Sequence, residues 1–434
     1  MEESWKDPVV ARREAIAGLT TFLTMSYIVV ANPLILGQAG LEVSAVVTAT
    51  VLAAALGSIL MGLVGRLPYA LAPGMGLNAF FTYDLVLRHK VTPEQALGLV
   101  TWSGILFVIL SATPLRREVA RAIPQHLRGA VGAGIGLFLA FIGLKSAGLI
   151  VDHPATLVSL GTLDRRHVIF LVGLIVAAGL YRQRKPYAFL VAIVGATALA
   201  FVLGRPEHLK PHEWASMPAQ LSSPPDLSLL LRADLSGAVS SALLAPLVTL
   251  FFTDLFDSLS TFLGVSEAAG LVDEQGEPLG LDRALAVDAL ATLGSGLVGT
   301  SPATTYIEST AGIEAGGRTG LTAVVAGLAF LPLMFFSPLV GIVPAFATAP
   351  VLVLVGALMT RGFSGERPFE EQLPAFATLA LIPLTFSITT GILWGLILHP
   401  ICFLMARRER EVRPMGWVLL VVSVTLLIAE KGVS

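Results

Sequence analysis

The sequence predicts an all-α polytopic membrane protein, and three observations carry that reading. Hydrophobic residues fill 55% of the 434 positions and charged residues only 13%, where a soluble domain carries about 25% charge. The mean hydropathy is +0.80. Apolar runs of roughly 17–25 residues, each long enough to cross about 30 Å of hydrocarbon, recur between residues 15 and 430. The charge deficit extends along the whole chain, which excludes a soluble domain with a single anchor.

The first series of runs is 15–36, 43–64, 70–88, 94–113, 127–149, 167–182 and 187–204. Run 15–36 carries a proline near its end and no small-residue cleavage pattern, so it reads as a retained helix rather than a signal peptide. A polar stretch rich in Pro and His, 205–234, separates this series from the second. The second series is 240–265, 282–299, 303–316, 319–337, 340–360, 374–388, 389–406 and 414–430. The last run either spans or lies along the interface, which gives fourteen or fifteen segments.

Basic clusters orient these runs. Lys6, Arg12 and Arg13 precede the first run, and Arg116, Arg117, Arg121 and Arg128 follow the fourth. Arg182, Arg184 and Lys185 follow the sixth, and Arg407, Arg408, Arg410 and Arg413 follow the fourteenth. All four clusters share one side when the N-terminus is cytoplasmic, with Arg88, His89 and Lys90 as the exception. A net charge of -2 offers no basic field for nucleic acid. The single cysteine, Cys402, excludes an intramolecular disulfide framework or a cysteine metal cluster. The seven histidines have no ligand spacing.

Seven segments per series is an odd number, which inverts the second copy and predicts inverted repeats. In each series the third segment is short and broken. The two are Tyr69-Ala-Leu-Ala-Pro-Gly-Met-Gly-Leu-Asn78 and Gly299-Thr-Ser-Pro-Ala-Thr-Thr-Tyr-Ile-Glu308, with Pro73 and Pro302 in matching places. Extended backbone at membrane depth must pair with itself or serve a ligand. The half-helices expected to start near Gly74 and Glu308 then aim their N-terminal ends at one central cavity. Paired interrupted segments of this kind point to a transporter's binding site.

Ionisable residues inside spans are costly and mark function by default. Four stand out: Asp254, Asp257, Asp288 and Glu308. Asp254, Asp257 and Ser258 share a helix face by spacing, and Phe251, Phe252 and Phe256 add aromatic surface. This suits a planar ligand with donors along its edge. Asp257 fits a brace on the neighbouring half-helix equally well, and Asp288 fits coupling or structure equally. Asn78, after Gly74 and Gly76, suits ligand binding or bridging of the broken segments. Gly132-Ala-Gly-Ile-Gly136 reads as close helix packing, since it lacks a Walker lysine and a Rossmann acid. An intramembrane aspartyl protease is disfavoured by the absence of Gly-x-Gly-Asp, and a channel by the paired broken segments.

At these residues the chain resembles the nucleobase:cation symporter-2 family, the xanthine/uracil permeases, and within it the AzgA-like hypoxanthine/guanine/adenine permeases. The resemblance rests on Arg13-Glu-Ala-Ile-Ala-Gly-Leu-Thr-Thr-Phe-Leu-Thr-Met-Ser-Tyr27, Leu71-Ala-Pro-Gly-Met-Gly-Leu-Asn-Ala-Phe-Phe81 and Thr253-Asp-Leu-Phe-Asp257. It continues through Gly299-Thr-Ser-Pro-Ala-Thr-Thr-Tyr-Ile-Glu-Ser309 and Gly316-Gly-Arg-Thr-Gly-Leu-Thr322. It covers nearly the whole chain, with the stretch 205–234 poorly matched.

The resemblance implies fourteen segments in two inverted sevens, with segments 3 and 10 broken by short extended strands. It implies a core domain in 1–125 and 236–338, and a gate domain in 126–235, which includes an external loop, and 339–434. Purine contacts are expected from Asp254, Glu308, Asn78, Gly76, Ser258, Ile307 and Thr305, with Asp254 preferred to Asp257 as the primary contact. Asp257, Asp288 and Ser309 are assigned to proton coupling or structure. Uracil carriers have a histidine at the place of Ser258, which argues against uracil. The implied activity is import of a purine nucleobase, driven by the proton gradient without a cofactor, by elevator-type movement of core against gate. Sodium is the alternative coupling ion. A homodimer through the gate and residence in the cell membrane complete the expectation. The alternative cargo is an anion of the sulfate or bicarbonate type, which two acids at the cavity would repel by several kcal/mol.

Overall fold

The computed structural model describes residues 7–113, 124–206, 209, 214–218, 220–240, 243–272, 278–363, 365 and 367–431. Lys6, Arg116, Arg117, Arg121, His208 and His212 fall outside them. Each apolar run becomes a helix or a broken helix. Asp7 caps α1 (Pro8–Met25) by accepting the Val9 N–H at 2.9 Å, with proline at the first helical position. Run 15–36 is not one helix, because the bonds tighten to Val29 N–Ser26 O and Val30 N–Tyr27 O at its middle. α2 (Ile28–Gly37) follows that break, and then α3 (Val43–Leu60).

The third run holds strand β1 (Leu71–Pro73) and half-helix α4 (Met75–Ala79), which continues as π-helix over Phe80–Arg88. α5 (Pro93–Ser111), α6 (Gln125–Ser146), a hairpin of β2 (Ile150–His153) and β3 (Leu157–Leu160), α7 (Arg165–Arg182) and α8 (Ala188–Leu203) complete the first half. The second half has α9 (Leu244–Ala269), α10 (Leu281–Val298), strand β4 (Ala303–Thr305), half-helix α11 (Ser309–Glu314) and α12 (Gly320–Phe330). It ends with α13 (Ala345–Met359), α14 (Phe369–Thr385), α15 (Ile388–Met405) and α16 (Pro414–Lys431). Among the described residues, 7 stretches are long and apolar enough to cross a membrane: Pro8–Gly37, Val43–Gly65, Pro93–Ser111, Gln125–Ser146, Leu244–Ser266, Gly320–Val340 and Ile388–Met405. Shorter apolar helices are Ala188–Leu203, Ala345–Met359 and Pro414–Ile428.

The broken runs meet. β1 and β4 pair antiparallel, with Leu71 opposite Thr305, Ala72 opposite Thr304 and Pro73 opposite Ala303. Gly74 N–Pro302 O and Tyr306 N–Ala70 O, both 3.0 Å, close the two ends of this ribbon. The outer edges are satisfied by side chains, as hydrocarbon requires. Ser58 Oγ accepts the Leu71 N–H at 2.9 Å and donates to the Leu71 carbonyl at 3.0 Å, and Ser295 Oγ accepts the Ala303 N–H at 3.2 Å. The Tyr306 hydroxyl donates to the Pro73 carbonyl at 2.5 Å.

The helices pack as two groups. In one, α5 lies on α10 and α9, α3 on α10 and α12, and α1 on α12 and α11, around the strand pair. In the other, α6 lies on α13 and α14, α14 on α15, and α7 on α8 and α13. The groups touch where α9 meets α15, α16 and α6, where α4 meets α6, and where α1 meets α8. The glycine stripe of α6 is packing, as its sequence suggests: a Cβ on Gly136 would stand 2.4 Å from the Gly356 carbonyl of α13.

Candidate functional site

α9 and α10 both pack on β4, and this places the acids of α9 beside the strand crossing. Asp254 is fully buried. Its Oδ2 accepts from the Thr292 hydroxyl of α10 at 2.7 Å, and Thr292 also lies 3.3 Å from the Ala303 carbonyl. Asp254 Oδ1 is buried with no hydrogen-bond partner among the described residues. Ser258, one turn further, donates to Asp288 of α10, which also lies 3.5 Å from the Thr305 hydroxyl. Asp257 is half-buried and accepts from the Thr304 hydroxyl at 3.2 Å. So Asp254 and Ser258 turn toward α10, and Asp257 turns toward β4.

Glu308 stands at the start of α11, half-buried, and its Oε1 accepts from the Tyr27 hydroxyl at 3.0 Å. Asn78 is buried in α4, where its Oδ1 accepts from the Ser301 hydroxyl at 2.5 Å and so ties α4 to the chain entering β4. Ser309 Oγ accepts the Ala70 N–H at 3.0 Å, which extends the ribbon closure. Ile307 is 52% exposed beside Glu308. A Cβ on Gly76 would stand 2.6 Å from the Ile135 side chain of α6, so glycine lets the two helix groups meet at this half-helix.

Asp254, Ser258, Asp288, Thr305 and Asp257 therefore form one cluster on α9, α10 and β4. Asn78 and Gly76 sit on the opposing half-helix, and Glu308, Ile307 and Ser309 at the start of the other. Strand-edge N–H groups of Leu71 and Ala303 are already committed to serines. Among the described residues, the backbone donors left for a ligand are the first-turn N–H groups of α4, because those of α11 are taken by the Tyr306, Ile307 and Glu308 carbonyls. Thr292, Ser301, Thr304 and Tyr27 are partners that sequence reading missed, since neutral hydroxyls in apolar runs carry no cost signal. Two further buried acids, Glu14 and Asp84, were hidden by their place at run ends beside basic residues.

The chain is 41% identical over 408 residues to the adenine permease AdeP of Escherichia coli, covering 93% of this chain and 90% of that protein. It is 39% identical over 436 residues to the guanine/hypoxanthine permease PbuG of Bacillus subtilis, covering 97% of each. Among solved structures it is similar to the transmembrane domain of a cyanobacterium bicarbonate transporter, BicA. The TM-score is 0.66 at 16% identity, over 89% of this chain and 97% of that one. The murine anion transporter Slc26a9 in its inward-facing state gives 0.65 at 12% identity, over 91% and 68%. These structural likenesses establish a shared fold. The family model for the permease family (Xan_ur_permease) matches residues 12–398, and with the two permease relatives it establishes that this chain belongs to the xanthine/uracil permease family and is an integral membrane transporter.

Proposed function

We propose that this permease imports a purine nucleobase together with a proton, with the strand-bearing helix group carrying the site past the other. The observation that carries the reading is the partnerless, buried Oδ1 of Asp254 beside the strand crossing. A buried carboxylate oxygen without a donor costs on the order of 1–3 kcal/mol or more. A neutral purine supplies N–H donors along its edge, and its ring acceptors suit N–H groups at the start of a half-helix, such as that of Gly76. Glu308 serves a second edge, with Tyr27 fixing its rotamer. Thr305 and Ile307 flank the ring, and Ser258 orients the site through Asp288. Asp257, Asp288 and Ser309 serve coupling or bracing. The cargo class is supported by adenine and guanine/hypoxanthine permeases among the relatives.

Carrying a bare carboxylate through the membrane is costly, so purine and proton together satisfy the site. The group around the strands acts as core (1–125 and 236–338) and the other as gate (126–235 and 339–434), an arrangement supported by the packing of their helices, although Asp226, Leu231 and Asp234 of the connecting stretch bond to the first group. The inverted-repeat reading is supported by Ser58 and Ser295, which do the same service for the first residue of each strand. Orientation with the N-terminus cytoplasmic is supported by the basic end: Arg13 meets Gly316, and Arg184 reaches Glu314. Residence in the cell membrane and a homodimer through the gate complete the proposal. An anionic cargo, as in the solved neighbours, is opposed by the acids at the site.

The test is uptake of labelled adenine and hypoxanthine into proteoliposomes under imposed proton or sodium gradients. Uptake follows the proton gradient, and Asp254→Asn and Glu308→Gln abolish it. Normal uptake by both variants overturns the site, uptake driven by sodium alone overturns the coupling ion, and competition by bicarbonate but not purine overturns the cargo.

A further inference from the structure

The two helix groups also meet at a buried carboxylate that the proposed site does not use. Asp84 lies on the π-helical stretch after α4 and is fully buried. Its Oδ1 accepts from Arg88 at 3.0 Å, with His89 Nε2 at 3.5 Å. Its Oδ2 turns to the other group, accepting from the Ser387 hydroxyl at 3.3 Å, the Thr389 N–H at 3.3 Å and the Thr389 hydroxyl at 3.1 Å. Those donors stand at the N-terminus of α15. A carboxylate of one group thus caps a helix of the other, where the helix-end field adds to the hydrogen bonds.

The surroundings close the same seam. Phe386, between α14 and α15, holds a left-handed φ of 53°, uncommon for a bulky residue. Its ring lies edge-on to Phe138 at 5.3 Å and Phe141 at 5.2 Å, and Tyr83 lies edge-on to Phe138 at 5.9 Å. A cavity of about 540 Å³ opens against this closure, with Gln38, Tyr83 and Arg88 from one group and Lys145, Thr385 and Phe386 from the other.

We propose that Asp84 is a clasp that holds this end of the seam shut and must release α15 when the groups slide. Arg88 makes the clasp reversible. It belongs to the same element as Asp84, so the carboxylate keeps a counter-ion when the Ser387 and Thr389 bonds break, and the penalty of a bare buried charge is avoided. The freed donors turn to a cavity able to supply water. At the other end of the molecule the tie from Arg184 to Glu314 is 79% and 54% exposed, and solvent screening leaves it weak. The Asp84 end therefore biases the balance between the two arrangements. This inference rests on the sliding movement proposed above.

The test is pulsed electron–electron spin distance measurement between labels at Leu87→Cys and Ser146→Cys, in the full chain with Cys402→Ala, without purine or gradient. Asp84→Ala raises the ratio of long to short distances at least about five-fold, as loss of charge-assisted bonds in one of two states requires. Ser387→Ala with Thr389→Ala does the same, and Glu314→Ala leaves the ratio unchanged. Parent-like distributions in both folded clasp variants overturn the clasp. If Asp84→Ala does not fold, the Ser387/Thr389 pair decides alone. Because the distance is read without cargo, a wider seam in a protein that takes up no purine removes the cargo reading and keeps the clasp. Normal uptake with an unmoved seam removes the clasp and keeps the cargo.

Discussion

Asp254 and Glu14 are both carboxylates with no exposed surface, and their partners set them apart. Glu14 accepts the Arg318 N–H at 3.0 Å, the Thr319 N–H at 3.2 Å and the Thr322 hydroxyl at 2.5 Å, so it caps α12 from α1. Glu14→Gln turns an amide N–H₂ toward those donors and is expected to cost about 2–3 kcal/mol, read as a lower melting temperature with no selective loss of purine affinity. Asp254 has Thr292 on one oxygen and, among the described residues, nothing on the other. Asp254→Asn removes an unpaired buried charge while Thr292 keeps an acceptor. The variant is expected to melt at or above the parent and to lose at least about ten-fold in purine affinity, the stability–function opposition of a binding site. Thermal shift with and without adenine measures both, and a drop in melting temperature with affinity intact would make Asp254 structural. Asp254, Asp257, Asp288 and Glu308 were legible in the sequence because charge inside an apolar run is rare. Glu14 and Asp84 were not, because Arg12, Arg13, Arg88 and His89 make their neighbourhoods read as ordinary charged flanks. Their burial comes from partners some 300 residues away, Arg318 and Thr389.

At the scale of elements, the strand crossing shows how a local break becomes a tertiary structure. Pro73 and Pro302 were enough to locate the interrupted runs, since proline removes a donor and clashes with the preceding turn. The pairing register was not legible, because strands of 3 residues carry no period-2 pattern. Nor were the edge partners, because Ser58 and Ser295 sit in α3 and α10 among apolar residues. Ser58→Ala leaves both the N–H and the carbonyl of Leu71 unsatisfied in a dry interior, for roughly 2–4 kcal/mol. The expected result is a lower melting temperature together with weaker purine binding, since the ribbon positions both half-helices. Ser58→Thr retains the hydroxyl and is expected to recover part of each. A Ser58→Ala protein that melts like the parent would mean the ribbon edge finds other partners. The break between α1 and α2 was also hidden, since nothing in Thr24-Met-Ser-Tyr27 interrupts the apolar pattern, and the Tyr27–Glu308 bond that sits there joins distant runs.

At the scale of the whole molecule, the connection between α8 and α9 is held at both ends by different helix groups. Trp214 donates to the Ala200 carbonyl at 3.1 Å and packs on Phe346 at 4.8 Å, both in the second group. Asp226 holds Ser44 at 2.7 Å and Thr48 at 3.1 Å on α3, and Leu231 N bonds Leu297 O of α10 at 2.7 Å, in the first. The Ser228 N–H and Ser44 hydroxyl hold the Asp226 carboxyl below its ordinary range, so this anchor stays charged at neutral pH and weakens only as acid protonates it. If sliding carries the cargo, tying the groups at the opposite end must separate binding from transport. Arg184 and Glu314 are surface residues outside the proposed site, one on each group, 3.3 Å apart. With Cys402→Ala, Arg184→Cys and Glu314→Cys joined by a short bifunctional thiol cross-linker are expected to keep the adenine thermal shift and lose uptake, with uptake restored when a cleavable linker is cut. Cross-linked protein that still transports would show that cargo crosses without relative movement at this end, and the movement would then have to be sought within one helix group.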